Sequence, residues 1–307
     1  MALTSRISLQ GPPTSDPEDI LSSSLGVIFP DDVTNQHGDA EHSLIYTSPH
    51  LPRPLHIGLA DPDQETDRKL FSHYLWNASL LLAEFVEAGA LELPLDVGLG
   101  RLTPADFDVR GLETLELGAG TALPSIMAAL LGAKNVVVTD YPSATVLETL
   151  RRNVTANAKP ECSPHNSLAP LIVEGHAWGE LDTSFAGQHQ GRFDRVFVCD
   201  CLWMPWQHAN LHKSIAWFLK TPTSSSSARA WIIAGFHTGR AKMRGFFEDA
   251  ALAAEGLELE SIWERDCDGV EREWVWDRGQ EDVSERKRWL VVSVLRRRLP
   301  APVGVEG

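Results

Sequence analysis

Cysteine, tyrosine and positive charge are scarce in this chain. Its four cysteines, Cys162, Cys199, Cys201 and Cys267, have no metal-ligand spacing in 307 residues. No metal site and no disulfide framework are expected, and reduced thiols suit a cytoplasmic or nuclear protein. Lysine and arginine number 27 against 42 acids, a net charge of −15. Phosphates would be repelled, which argues against a nucleic-acid partner and suits a basic one. No run of about 18 apolar residues occurs, so no membrane-spanning helix is expected. The first residues lack an apolar stretch and carry Asp16, Glu18 and Asp19. That fits neither a signal peptide nor a mitochondrial presequence.

What is present is an ordinary globular composition, 43% hydrophobic and 22% charged, of a length for one large domain with additions. The stretch from Thr114 to Pro124 organises it. Leu112, Leu115 and Leu117 make an apolar strand. Gly118-Ala119-Gly120 allows a sharp turn and close approach of a ligand, because neither glycine carries a Cβ. Ser125 to Leu131 reads as a helix ending at Gly132, and Asn135 to Asp140 as a second strand ending in an acid. Such a strand–glycine loop–helix–strand–acid unit binds adenosine-containing cofactors at the carboxyl ends of parallel strands. A dinucleotide site would want a third glycine where Leu123 stands, and a Walker loop would want Gly-Lys-Ser/Thr. Glu116, at the mouth of the strand, would repel a pyrophosphate but could hold the ammonium group of a methionine moiety. Asp140 is placed to accept from two ribose hydroxyls. An ordinary βαβ unit with a glycine turn is the other reading of this motif alone.

Around this unit, residues 1–65 read as an irregular extension, with roughly the first 20 disordered and Leu25–Phe29 and Ser43–Tyr46 as docked short strands. Phe71 to Ala88 has helical periodicity, with Trp76 near its start. Residues 90–110 read as a surface connection. A helix carries Val146, Leu147, Leu150 and Val154. Strands follow at Leu171–Gly179, running into a turn, at Phe193–Asp200 and at Ala230–Phe236, with a helix at Gln207–Leu219 between the last two. His237–Arg240 leads into a helix through about Glu255, an edge strand spans Leu257–Glu264, and a charged connection spans Asp266–Lys287. The last strand is Arg288–Leu295, followed by a solvated basic end and a tail, 300–307.

The expected fold class is α/β: a doubly wound, mostly parallel seven-stranded sheet with helices on both faces and the last strand antiparallel, occupying residues 66–299. Glu-x-Gly-x-Gly followed by a strand ending in Asp resembles the seven-strand (class I) S-adenosylmethionine-dependent methyltransferases. Leu75-Trp76-Asn77-Ala78, Leu115 to Gly120, Val137 to Pro142 and Trp178-Gly179 together resemble the fungal nicotinamide N-methyltransferase-like group within the protein-lysine methyltransferases. The similarity covers about residues 70–297. It implies S-adenosylmethionine as cofactor, Trp76 along the methionine end, Trp178 beside the adenine, and Cys199 against the cofactor. The acceptor it implies is a protein lysine or N-terminal amine, in one branch of elongation factor 1A, and a monomer is expected. A small-molecule amine is the alternative acceptor, and a non-catalytic scaffold the alternative class.

Methyl transfer to an amine is an in-line displacement, so the protein must align a neutral lone pair. Asp200 is the candidate holder of the amine, and Trp203 or Trp206 a cation–π wall for its approach. A strand-end acid capping the next turn is the other reading of Asp200, and a core tryptophan that of Trp76.

Overall fold

The computed structural model describes residues 2–10, 35–38, 43–60, 74–95 and 102–299. Short alternating segments begin the chain: β1 (Ile7–Gln10), β2 (Gln36–His37), β3 (Ser43–Tyr46), β4 (Leu55–Ile57) and β5 (Leu75–Trp76). Strands β1, β3 and β4 form an antiparallel sheet, and β2 pairs with β5. Leu44, Tyr46, Leu55 and Ile57 point one way and are buried, as period-two alternation requires. The disorder expected for the first residues is therefore corrected for 2–10. Leu3 is buried and its N–H donates to the Cys267 carbonyl at 2.8 Å. Arg6 pairs with buried Glu87 at 2.7 Å, anchoring this sheet to the main body. Leu25–Phe29 and the tail 300–307 lie outside the described residues.

Helix α1 is Asn77–Leu91. It starts later than its periodicity suggested, because Leu75 and Trp76 are extended and pair with His37 and Gln36. Residues 71–73 of the expected helix lie outside the described residues. All but two of its 15 residues are buried, as expected of a helix apolar all round that is covered on every side. After it, the expected surface connection instead sends Phe107 inward, 4.4 Å from Phe85 and 5.2 Å from Trp231 between ring centroids.

The main sheet is built from β6 (Glu113–Leu117), β7 (Asn135–Asp140), β8 (Leu171–Gly175), β9 (Arg195–Cys199), β10 (Arg229–Gly235), β11 (Leu257–Asp266), β12 (Glu271–Glu273) and β13 (Trp289–Arg297). Its order is β12-β11-β13-β10-β9-β6-β7-β8. Pairs from β8 through β10 are parallel, and β13 is antiparallel to both its neighbours. This is the expected mostly parallel architecture with a reversed strand near one edge. Strand β12 is an addition inside the segment expected to be a plain connection, and it covers the end of β11 through Trp263–Arg265. The continuous burial of Arg195–Cys199 fits a central parallel strand covered on both faces. Along β10, Trp231 and Ile233 join the core under α1, while Ala230, Ile232 and Ala234 join the opposite one.

The crossovers include α2 (Leu123–Leu130), α3 (Ala144–Asn157), α4 (Ser184–His189) and α5 (His208–Phe218). The long helix expected after His237 is instead broken into α6 (Arg240–Met243), a 3-10 turn and α7 (Asp249–Ala254), with α8 at Val283–Arg288. Glu248, extended at φ −64° and ψ 130°, interrupts the helical path before α7. The basic end is not free either: Arg296 pairs with Glu258 at 2.6 Å and Arg298 donates to the Leu257 carbonyl.

Candidate active site

After β6 the chain turns to β7 on one side, and later returns to add β9 on the other. That switch of direction leaves a crevice past the carboxyl ends of the strands, where ligands of such sheets bind. A cavity of about 390 Å³ opens there, lined by loops that follow β6, β7, β8 and β9 and by the start of α1.

The loop after β6 is shaped by three residues with positive φ, Gly118 (69°), Gly120 (54°) and Ala122 (65°). A Cβ on Gly118 would lie 2.7 Å from Cys201 Sγ and 2.9 Å from Trp178 Cζ2. Glycine is therefore required by space as well as by conformation. The loop is stitched to β7: Ala119 N–H donates to the Thr139 carbonyl at 3.0 Å and Gly120 N–H to Asp140 Oδ2 at 2.8 Å. Tyr141 N–H donates to Asp140 Oδ1 at 2.7 Å. Both oxygens are thereby oriented, and burial raises the proton affinity of the carboxyl.

Of the sequence-proposed cofactor residues, Trp76, Gly118, Ala119, Gly120, Asp140, Trp178 and Cys199 line this cavity, as do Asp200 and Trp203. Glu116 does not. It is wholly buried beneath the loop, where Oε2 accepts from Ser125 N–H at 3.2 Å and from the Ser125 hydroxyl. The reading of Glu116 as a group at the mouth is corrected: strand alternation turns its side chain to the helix side, where it ties β6 to the first turn of α2. Burial, with nearby Asp140, pushes its carboxyl up to about 8. Burial also pushes the thiols of Cys199 and Cys201 well up, so both are neutral.

Asp200 follows β9 with φ +57°, a left-handed conformation uncommon outside glycine and asparagine. Its Oδ1 accepts from Gly235 N–H at 3.3 Å and lies 3.6 Å from His237 Nε2. Burial raises the carboxyl, and His237 opposes that. The His237 ring stacks on Trp76 at 4.8 Å. Trp203 meets Trp206 edge-on at 6.5 Å, and Trp206 is 71% exposed at the rim.

Sequence reasoning missed several lining residues, among them Thr121, His176 and Asn210. Thr121 and Asn210 carry no motif. His176 stood in the strand–turn that holds Trp178, and that was its one signal. Burial pushes His176 down to about 4, so its ring is neutral.

A family model described as lysine methyltransferase matches residues 63–251. The chain belongs to that family. This lysine methyltransferase is 30% identical, over 71% of its length and 75% of the relative's, to the protein N-terminal and lysine N-methyltransferase EFM7 of Gibberella zeae. To the protein of the same name from Kluyveromyces lactis it is 32% identical over 47% of its length, and it spans about half of that relative (52%). A structure assigned as a SAM-dependent methyltransferase from Streptococcus mutans superposes with a TM-score of 0.52 at 10% identity, covering 91% of this chain and 65% of the other. That likeness shows the fold.

The family's cofactor is S-adenosylmethionine. The cavity suits it. Two residues that line it, Thr121 and His176, each carry a buried polar atom, Oγ1 and Nδ1, with no partner among the described residues. The glycine cradle leaves room for a close backbone approach, and Trp178 supplies an aromatic wall above it.

Proposed function

We propose that this enzyme methylates an amine nitrogen on a protein, a lysine or an N-terminus, of the translation-factor class. The observation that carries the reading is that one cavity joins the cofactor wall (Trp76, Gly118–Gly120, Asp140, Trp178) to Asp200 and Trp203. Among the described residues of 2–60 and of 266–287, none lines the cavity, which supports an open site over the roofed one that a metabolite would require. The names of the fungal relatives support the same acceptor class.

Bound S-adenosylmethionine supplies a methyl group on a sulfonium. Asp140 would accept from the ribose hydroxyls, Trp178 would hold the adenine and Trp76 the methionine end. Cys199 and Ala119 complete the wall. Asp200 Oδ1 is held by Gly235, leaving Oδ2 to accept an N–H of the incoming amine. The raised proton affinity of this carboxyl lets it take the proton that an ammonium must lose before its lone pair can attack. Trp203 and Trp206 flank the cationic side chain as it enters. The enzyme works as a monomer in the cytoplasm or nucleus, where its four free, buried thiols stay reduced.

The test incubates labelled cofactor and purified enzyme with an extract from cells lacking the gene, and separately with the low-mass filtrate. Label is expected on a protein band, lost with Asp200→Asn. Label confined to the filtrate would sink the protein-acceptor reading.

A further inference from the structure

A second cavity, of about 400 Å³, lies at the other end of the sheet. Arg195 and Arg229, which line it, are the first residues of β9 and β10. The methyl-transfer cavity lies past their last residues. Phe107 and Trp231 form an aromatic wall. Glu260 and Ser261 come from β11, where its register against β13 shifts between Leu259 and Ser261. Such irregularities re-aim side chains and gather near functional sites.

Two acids, Asp106 and Glu260, and two bases, Arg195 and Arg229, line this cavity, but they are not paired one to one. Both oxygens of Glu260 are taken by Arg229. Asp106 Oδ2 accepts from Thr103 N–H at 2.7 Å and its hydroxyl at 2.9 Å, closing a capping box. Arg195 has no carboxylate partner among the described residues. Its Nη1 donates to the carbonyls of Asp194 and Ser227, and its Nε is buried with no partner among them. The residue is 7% exposed, with its guanidinium carbon 5.3 Å from the Trp231 ring centroid. Burial and the like charge of Arg229 push it down to about 10, which still leaves it protonated at neutral pH. Ser261 Oγ is a second buried polar atom with no partner among the described residues. A buried guanidinium with no direct ion pair is unfavourable, and the charges of Asp194, Asp106 and Asp108 act on this one only from a distance.

We propose that this cavity binds an oxyanion, a carboxylate or a phosphate, carried on a flat apolar body, as a ligand site separate from the methyl-transfer centre. The guanidinium edge of Arg195 forms charge-assisted hydrogen bonds to the oxyanion, and Ser261 Oγ donates one more. Trp231 and Phe107 contact the apolar body. The cavity is of a size usual for small-molecule sites.

Full-length protein is titrated with benzoate, phenyl phosphate, acetate and inorganic phosphate at constant ionic strength, reading calorimetric heat and melting temperature. Benzoate or phenyl phosphate is expected to bind at least tenfold tighter than its body-less counterpart, and the tighter of the two identifies the oxyanion. Arg195→Met should weaken that binding at least tenfold while leaving S-adenosylmethionine affinity unchanged. Should that variant not fold, Ser261→Ala is expected to weaken the probe severalfold. No binding by any probe at millimolar concentration, or equal binding by wild type and the folded variant, would overturn the proposal.

Discussion

Glu116 and Asp140 are both acids beside the glycine loop, yet their surroundings assign them different work. Asp140 faces the cavity with its oxygens oriented by two backbone N–H groups. Asp140→Ala removes the acceptor for both ribose hydroxyls, and calorimetry should show S-adenosylmethionine affinity lowered by roughly 1.5–3 kcal/mol. Unchanged affinity in a folded variant would remove Asp140 from the site. Glu116 is buried below, and its folded carboxyl is raised to about 8 from an ordinary value of 4.5. The sign follows from proton counting. Between those values the unfolded chain has released the proton and the folded one keeps it, so stability falls as pH rises from 4.5 through 8. Glu116→Gln keeps an acceptor for Ser125 and has no proton to lose. Urea unfolding should find it close to wild type near the low end of that window. At the top it should be more stable by a few kcal/mol, with a ceiling of roughly 1.4 kcal/mol for each step of one pH across the window. A variant less stable by the same amount at both ends would show Glu116 to be ionised in the fold.

At the scale of elements, the least regular segment of the sequence is held by its charges. Glu264 on β11 is wholly buried and accepts from Arg240 Nη1 and Arg272 Nε, each at 2.7 Å, with Arg278 Nε 3.3 Å from Oε2. Arg240 also reaches Glu281 at 3.1 Å and lies over the Phe236 and Trp274 rings at 4.4 and 4.9 Å. Arg272 covers Trp289 at 3.6 Å. These contacts pin β12 and the chain up to α8 onto β11, β13 and α6. Glu264→Ala strands at least two buried or half-buried guanidinium groups. Leaving buried charges unpaired costs about 3–5 kcal/mol, so a thermal melt should fall by on the order of 10 °C. Cofactor affinity of the folded variant should stay within about twofold, because none of these residues lines the active-site cavity. A melt unmoved by the change would show that the ion-pair network does not hold the segment.

Over the whole molecule, the acidic balance bears on how a substrate arrives. A net charge of −15 attracts a lysine-rich surface, and the attraction weakens as salt screens it. With a basic protein acceptor, kcat/KM should fall by about tenfold between low and half-molar salt, chiefly through the encounter rate. With a free lysine-sized amine the dependence should be far shallower. A flat profile for the protein acceptor would show that the charge serves solubility alone.

The α/β class, the parallel order of β6 to β10, the reversed final strand and the glycine turn were all legible from the amino acids. They rest on local patterns: unbroken apolar runs, period-two and helical spacing, and glycines where the backbone leaves the common conformations. Asp140, Asp200 and Trp203 could be picked out for the same reason, since each ends or follows a recognisable strand, whereas Trp76 and Trp178 rested on the family resemblance. The side of β6 on which Glu116 lies, the pairing of Leu75–Trp76 that delays α1, and the meeting of Trp76 with His237 needed the tertiary structure. So did the burial of the Arg195 guanidinium with no direct ion pair among the described residues. Each depends on which distant segment arrives opposite, and on what burial then does to a charge or a hydrogen bond. Residues as far apart in the chain as Arg6 and Glu87, or Trp76 and His237, carry no mark of one another in the sequence.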